Sequence, residues 1–242
     1  MVKQERAARS RNSLVQAAAE QFDRDGYAGA SLSRICKAAG ISSGGLTFHF
    51  SSKEDLARAV EEVGHGVVRA TVERLCAGSA PPLQRLVGLT LELMRQVEEQ
   101  PAVRALVRLE RERPGAPQWA ALWYPAAQEL VQQAADEGQL RPSARPEAVA
   151  SLAVHLVTGA EILARRQRDA GAAAQPPESS AALLERIWKL VLAGLVPPDS
   201  PDPLPSPHTH TTKPSPPNAN TPRTTPTPIR RPVPVRGPYN RG

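Results

Sequence analysis

The sequence predicts an all-α fold, and three observations support that prediction. Apolar residues recur at offsets of three, four and seven along most of the first 196 residues, as expected for helices with one buried face. The first such series is Val15, Ala18, Ala19 and Phe22. Sustained alternation of apolar and polar residues, the pattern of a half-buried strand, does not occur. Proline and glycine divide the helical pattern into about nine helices, three short ones before residue 50 and six longer ones after it.

The first fifty residues contain the elements of a helix-turn-helix. A helix over residues 9–25 precedes a short second helix, which Ser31 can cap and which Gly40 can end through a positive φ angle. Ser42 can cap a third helix that runs from Ser43 to about Phe48. Two short helices joined by a tight turn with glycine, and braced by an earlier helix, are the helix-turn-helix arrangement.

The third helix is predicted to present small or hydroxylated residues to its surroundings: Ser43, Gly44, Gly45 and Thr47. Such a helix can lie deep in a DNA major groove, with its backbone close to base edges. After it, Ser51 and Ser52 begin overlapping capping boxes, and Lys53 adds a cation to the exposed backbone N–H groups of the next helix. These groups together can hold one phosphate. Ser42 and Ser52 can equally be helix caps with no other role.

Several residues near the third helix are expected to fill a small core. Phe48 and Phe50 are predicted to be buried rather than stacked on bases, because a helical domain with so few aromatic residues uses them to fill space. Cys36, on the apolar face of the second helix, is expected to be a small core residue. His49 lies between the two phenylalanines and is either a buried, hydrogen-bonded group or a phosphate contact.

The helices after residue 50 are longer and more apolar. Helical series begin at Leu56 and Leu83, and a wide apolar stripe covers residues 183–195. The segment 149–164 is apolar around most of its circumference and therefore needs cover on several sides. Together with the last helix, it is predicted to form a homodimer interface built as a helix bundle.

Composition excludes several classes of protein. Two cysteines, Cys36 and Cys76, cannot form a disulfide framework, a four-cysteine zinc site or a CxxC motif. No apolar run approaches eighteen residues, and no apolar segment follows the charged N-terminus, so we expect a cytoplasmic protein without a membrane partner. The sequence has no nucleophile with a neighbouring base, no metal-ligand cluster and no phosphate loop. It is therefore not expected to be an enzyme or to carry a cofactor or metal.

Charge and proline are unevenly distributed. Residues 1–50 carry a net charge of +3, residues 51–196 a net charge of −1 and residues 197–242 a net charge of +4. Basic ends around a neutral middle favour a polyanion partner, most commonly nucleic acid. The last 46 residues also hold 15 of the 25 prolines, with few large apolar residues, so we expect a disordered tail. That tail is an inert extension, a ligand for a proline-recognition module or a non-specific DNA arm.

The segment from Arg6 to Val60 resembles the DNA-binding domain of TetR-family transcriptional repressors. The resemblance lies in the G-Y after the first helix, the A-G-[IV]-S turn and the closing x-F-H-F-x-[SN]-K-x-x-L. Within the family, SSGGLTFHFSSKEDLARAV is most similar to the γ-butyrolactone autoregulator receptors of actinomycetes and their receptor-like homologues, which regulate antibiotic biosynthesis. The resemblance implies base contacts near Ser43, Gly44, Gly45 and Thr47. It implies phosphate contacts at Ser31, Ser33, His49 and Lys53.

Aromatic residues are concentrated at one point of the second half. Trp119, Trp123 and Tyr124 fall within six positions of one predicted helix, where they either line an apolar ligand cavity or fill the core. The resemblance implies that Trp123 lines the pocket. It also implies that Thr158, in a V-T-G that matches the family's F-T-G, is a buried hydroxyl that can bond the ligand or a helix carbonyl four residues earlier.

These observations and the resemblance together predict a TetR-like, homodimeric, ligand-responsive transcriptional repressor. The predicted domains are a three-helix helix-turn-helix domain over residues 1–50, a helical ligand-binding and dimerisation domain over 51–196, and the tail over 197–242. The third helix of each subunit would enter one of two successive major grooves of a near-palindromic double-stranded DNA operator. A small hydrophobic effector would release the protein from this operator. The resemblance implies that receptor-like homologues tend to be basic where the receptors tend to be acidic. The pI of about 9.8 therefore favours a receptor-like homologue, whose expected effector is an antibiotic or a biosynthetic intermediate. The alternative is a ligand-independent DNA-binding protein whose larger domain only dimerises.

Overall fold

The computed structural model describes residues 2–113, 115, 118–169, 179–198 and 204. Within these residues the structure has helices and no strands, which confirms the all-α prediction. The described α-helices are α1 (Val2–Gly29), α2 (Leu32–Ala39), α3 (Ser43–His49), α4 (Lys53–Cys76), α5 (Pro82–Glu99), α6 (Pro101–Glu112), α7 (Tyr124–Asp136), α8 (Pro146–Asp169) and α9 (Ser180–Leu195). A 3₁₀ helix (Trp119–Leu122) precedes α7. These helices belong to one unit that spans Met1–Ser206.

The first helix is longer than the sequence predicts. α1 has 28 residues, whereas the apolar pattern indicates a short helix over residues 9–25. Residues 4–9 of this helix are mostly exposed and include several charged residues, so they contribute no apolar period by which a helix could be recognised. Near the other end, Gly26 has a φ of 72° and a ψ of 177°, and the helix is kinked there.

A small hydrophobic cluster joins the first three helices to α4 and α6. Its largest buried residues are Leu14, Phe22, Ile35, Leu46, Phe50, Leu56, Val60 and Leu109. Cys36 is buried in the same cluster, as predicted. The cluster thus continues past residue 50, because it includes residues from the first two turns of α4 and two residues of α6, Ala105 and Leu109.

Phe48 is not part of this cluster, and the prediction that it is a core residue is wrong. Its side chain is 78% exposed, whereas Leu46 and Phe50 are buried. Successive residues of an α-helix are rotated by about 100°, so Phe48 lies about 200° away from Leu46, on the opposite side of α3. Phe50 directly follows the helix and is buried with Leu46.

A larger cluster contains the cores of α5, α7, α8 and α9. Trp188 of α9 is fully buried, and its indole N–H donates to Thr90 Oγ1 over 2.8 Å. α8 is long and apolar enough to pass a length-and-composition test for a membrane-spanning helix. In this fold its apolar face packs in the larger cluster, and its Glu161 is paired with Arg111 of α6. α8 therefore packs one face into this bundle.

α6 belongs to both clusters and crosses α4 closely. Ala105 and Leu109 lie in the small cluster, and Val103, Leu106 and Val107 lie in the larger one. A Cβ atom at Gly64 of α4 would lie 2.8 Å from the carbonyl oxygen of Ala102 and 2.9 Å from Leu106 Cβ. The glycine therefore permits α4 and α6 to cross closely, next to both hydrophobic clusters.

Of the predicted tail, 197–242, only residues 197, 198 and 204 are described. The prediction that the tail is disordered falls outside the described residues. The predicted domain boundaries stay predictions.

Candidate functional site

The turn between α2 and α3 forms through local hydrogen bonds. Gly40 has a φ of 66°, and its N–H and that of Ile41 return to the last carbonyls of α2. Ser42 Oγ accepts from the N–H of Gly45 over 3.2 Å, so the predicted cap of α3 is confirmed. Ser31 occupies the capping position of α2, but its side chain makes no capping hydrogen bond, so that predicted bond is wrong.

The outer face of α3 consists of small residues and one ring. Ser43, Gly44, Thr47 and Phe48 are exposed, and Gly45 is half-buried. The Thr47 hydroxyl lies within hydrogen-bond distance of the carbonyls of Ser43 (3.2 Å) and Gly44 (3.1 Å). Because its donor is used within the helix, Thr47 offers its methyl group and an acceptor lone pair to a partner.

The structure explains one of the two glycines of α3 but not the other. A Cβ atom at Gly45 would lie 2.7 Å from Ile41 Cγ2, so the turn itself requires glycine there. A Cβ atom at Gly44 would meet only Ser42 Oγ, at 4.0 Å. The fold therefore leaves the absence of a side chain at Gly44 unexplained, although glycine is disfavoured inside a helix by about 1 kcal/mol relative to alanine.

The predicted phosphate contacts surround this face unevenly. Ser33 is exposed, while Ser31 and His49 are half-buried. The His49 ring lies edge-on to Phe48, with 5.0 Å between centroids, and is tilted against Phe50 at 6.4 Å. His49 is thus neither fully buried nor free in solvent.

Lys53 has internal partners that the sequence does not reveal. Its Nζ donates to the carbonyl of Ala30 over 2.6 Å and to that of Ala28 over 3.4 Å. The same ammonium lies 4.8 Å from the centre of the Tyr27 ring. Lys53 therefore holds the turn after α1, and two of its three N–H groups are used there.

Tyr27 lies where α1, α4 and α6 meet. Its hydroxyl donates to Glu54 over 3.2 Å, and its backbone N–H donates to Glu112 over 2.5 Å. Burial raises the pKa of its phenol above the ordinary value, and the hydrogen bond and charge of Glu54 raise it further. The ring also lies 5.4 Å from the guanidinium of Arg113.

Arg113 ties the end of α6 to the beginning of α4 through ion pairs with Glu54 and Glu61. Burial alone would lower the pKa of Arg113, but its hydrogen bonds and charge interactions with the two carboxylates raise it above the ordinary value. A displacement of α6 would therefore act on the start of α4, next to Lys53.

The prediction that Trp119, Trp123 and Tyr124 lie on one helix is wrong. Trp119 is in the 3₁₀ helix, Trp123 is in an irregular conformation, and Tyr124 begins α7. Pro125 explains the interruption, because in a continuous helix its ring would clash with the carbonyl four residues earlier. The two indole rings are 6.0 Å apart and tilted by 59°.

Both tryptophans are buried, and one carries an unpaired polar atom. Trp123 is completely buried, and its Nε1 has no hydrogen-bond partner among the described residues. The backbone N–H of Trp119 donates to the Glu110 carboxylate over 2.7 Å, and burial raises the pKa of that carboxyl group. Buried indole N–H groups usually have a partner, so Trp123 needs a further explanation.

Thr158 does not lie with Trp123 in this core. Thr158 is exposed, whereas the preceding Val157 is completely buried. One step along α8 rotates a side chain by about 100°, which moves Thr158 off the buried face. The expectation that its hydroxyl is a buried donor in a cavity wall is wrong for the single chain.

The outer faces of α8 and α9, predicted to form the dimer interface, retain apolar residues at the surface. Leu163 is 45% exposed and Leu190 is 78% exposed. Across the described residues, no group of three or more His, Cys, Asp or Glu side chains is arranged to hold a metal ion.

Comparison with known proteins relates the chain to one family of regulators. Residues 14–60 match the family model of bacterial regulatory proteins, tetR family. The A-factor receptor protein of Streptomyces griseus is 33% identical over 175 residues, which are 72% of this chain and 60% of that protein. The chain thus spans less than two thirds of that relative's length.

Solved structures extend the similarity to most of the chain. A crystal structure of a γ-butyrolactone receptor (ArpA-like protein) superposes with a TM-score of 0.63 at 29% identity, covering 79% of this chain and 90% of that one. The TetR family protein CprB from Streptomyces coelicolor, in complex with its biological operator sequence, superposes with a TM-score of 0.60 at 28% identity and the same coverage.

Proposed function

The chain is a TetR-family DNA-binding regulator related to γ-butyrolactone receptors, and from this premise we propose how it works. It is a cytoplasmic homodimer that represses transcription by binding a near-palindromic operator through two copies of α3. A small hydrophobic effector, such as a γ-butyrolactone or an antibiotic intermediate, binds the helical bundle and releases the operator. The regulated genes are those of antibiotic or other secondary metabolism.

The observation that carries the DNA-binding proposal is the exposed face of α3 around Gly44. A position that the fold would let carry a side chain, and at which glycine weakens the helix, is explained when another backbone approaches closely. In the proposed complex, Ser43, Gly44 and Thr47 face base edges. The Thr47 methyl group is suited to contact a thymine methyl.

Phe48 also lies on this face, although it was predicted to be buried. An exposed ring on the proposed contact helix is apolar surface that folding has not removed from water. The rotation of about 200° between Leu46 and Phe48 was the signal that could have identified it. In the proposed complex, the ring packs against the DNA beside His49.

Phosphates are proposed to bind at Ser31, Ser33, His49 and Lys53. Lys53 keeps its bonds to the turn after α1 and offers its remaining N–H to the phosphate. It therefore couples the turn that carries α2 to the DNA backbone.

The proposed effector site is centred on Trp123. Its buried, unpaired indole N–H is a donor suited to a carbonyl or lactone oxygen, and the adjacent Trp119 ring adds apolar surface. The similarity to a γ-butyrolactone receptor and to the A-factor receptor protein supports an effector that carries a lactone oxygen.

The proposed dimer uses the outer faces of α8 and α9. Leu163 and Leu190 supply exposed apolar surface, which a second copy would remove from water. Binding to two successive major grooves requires this pairing to hold the two copies of α3 about 34–36 Å apart.

Release requires coupling between the effector site and α3. A hundredfold loss of operator affinity corresponds to about 2.7 kcal/mol. The proposed route runs through α6, which crosses α4 at Gly64 and holds its start through Arg113.

A second candidate function is a dimeric regulator that responds to no ligand. The complete burial of Trp123 within the larger cluster favours it, since a buried tryptophan is also a common core filler.

The direct test is fluorescence anisotropy with DNA from the gene's own upstream region, in the presence and absence of extracts from antibiotic-producing cultures. Saturable binding with one dimer per site, reversed by an extract component, supports the proposal. Binding that no extract or purified γ-butyrolactone reverses supports the second candidate. A monomer without sequence preference would contradict both.

A further inference from the structure

A charged cavity lies where α1, α6 and α8 meet. Its volume is about 210 Å³, and its wall contains six arginines and three carboxylates, an excess of three positive charges. The arginines are Arg24, Arg104, Arg108, Arg111, Arg165 and Arg168. Neither tryptophan of the proposed effector site lines it.

The arginines on α6 all have close partners. Arg104 Nε lies 2.6 Å from Asp23, Arg108 Nε lies 2.7 Å from Glu112, and Arg111 Nη1 lies 2.7 Å from Glu161. Arg108 Nη1 also donates to the carbonyl of Asp23 over 2.7 Å. These contacts hold α1 and α8 against α6 and explain why α6 needs its arginines.

The arginines on α8 are less well paired. Arg165 reaches Glu161 and Asp169 only at 3.9 and 3.8 Å, and its Nε is buried without a hydrogen-bond partner among the described residues. Arg168 forms no ion pair within 4.0 Å in the described part of the chain, although it lines the cavity. Desolvation lowers the pKa of Arg168, which is an exposed residue; the charge of Asp23 opposes this shift, and the charge of Arg104 adds to it. The less well paired guanidinium groups of the cavity are therefore those on α8.

We propose that this cavity binds a compact oxyanion with two or more negative charges, of the phosphate or polycarboxylate class. Guanidinium groups bind such oxygens in pairs, and arginines from three helices converge on this one space. The volume is below the roughly 300 Å³ at which pockets for drug-sized ligands begin, so it suits a small ion. The bound ion would satisfy Arg165 and Arg168 and tie α8 to the junction of α1 and α6.

The test is calorimetric titration of the full-length protein with pyrophosphate and with citrate, at ionic strength held constant with sodium chloride. The test variant is the double substitution Arg165→Gln and Arg168→Gln. The matched control is Arg166→Gln, an exposed arginine between them that does not line the cavity. Far-UV circular dichroism verifies that each variant is folded, and Arg168→Gln alone replaces the double variant if that variant is not.

We expect saturable binding of at least one probe, at least tenfold weaker in the double variant and within twofold of the parent in the control. Preference for pyrophosphate assigns the phosphate class, and preference for citrate the polycarboxylate class. Undetectable binding of both probes, or equal binding by the parent and the double variant, would overturn the proposal. Equal losses in the double variant and the control would also overturn it, because they indicate general charge attraction.

Discussion

The helix α3 exposes its one phenylalanine, whereas the bundle of α5, α7, α8 and α9 buries its tryptophans. Phe48 is 78% exposed on α3, whereas Trp123 and Trp188 are completely buried in the bundle. The buried rings stabilise the folded protein, because burial removes their apolar surface from water. The exposed ring makes no such contribution, so its presence needs another explanation. In the first region, a binding role is therefore indicated by exposure. In the second it is indicated by a buried donor, Trp123 Nε1, which folding left without a partner.

The largest expected effect separates the two kinds of ring. Trp123→Ala should lower the free energy of unfolding by about 3–5 kcal/mol, because it leaves a large cavity in the core. Phe48→Ala should change it by less than about 0.5 kcal/mol and yet weaken operator binding. Urea denaturation and DNA anisotropy measure the two quantities. A strongly destabilised Phe48→Ala variant would remove the contrast between the regions.

The two glycines of α3 sharpen the comparison within the first region. Gly45→Ala should destabilise the protein by about 1–3 kcal/mol, because its Cβ atom would overlap Ile41. Gly44→Ala should leave stability unchanged or raise it by up to about 1 kcal/mol. It should nevertheless weaken operator binding about tenfold or more, since the added methyl group lies in the proposed interface. Thermal unfolding and DNA titration of this matched pair test the assignment, and full operator affinity in Gly44→Ala would contradict it.

In the second region, Trp123→Phe isolates the unpaired N–H from the ring. Stability should change by less than about 1.5 kcal/mol, because most of the buried apolar surface remains. Affinity for an alkyl-substituted γ-butyrolactone should fall roughly three- to tenfold, the usual worth of one hydrogen bond. Trp119→Phe is the control, since its indole N–H is not among the unpaired buried atoms. Unchanged ligand affinity in Trp123→Phe would favour the ligand-independent regulator.

The smallest expected effect concerns Glu110. Burial raises its pKa in the folded protein, so the charged form is disfavoured and stability is lost as the pH rises through that pKa. Glu110→Gln keeps an acceptor for the Trp119 N–H and removes the charge. It should raise the free energy of unfolding by less than about 1 kcal/mol at pH 7 and have little effect below about pH 4, where both forms are neutral. Denaturant titrations at the two pH values give the comparison, and a variant that is less stable at pH 7 would indicate that the charge is needed.

Sequence reasoning predicted the first region more completely than the second. The cap at Ser42, the positive φ at Gly40 and the burial of Cys36 were all correct. Phe48 was misplaced because residue type was weighed above helical rotation. In the second region, the broken helix before α7 and the exposure of Thr158 were missed. The rotation of a long, broadly apolar helix such as α8 is not set by its own pattern.

By itself, the sequence determined the all-α class, most helix boundaries and the turn between α2 and α3. These depend on capping, glycine conformation and apolar period, which act between residues a few positions apart. Only the tertiary structure decided which partners Lys53 and Arg113 take, and that Trp123 Nε1 is left without one. It also decided that arginines some sixty residues apart, on α6 and α8, converge on one cavity. Such contacts depend on how helices pack across the chain, and local preferences do not encode that packing.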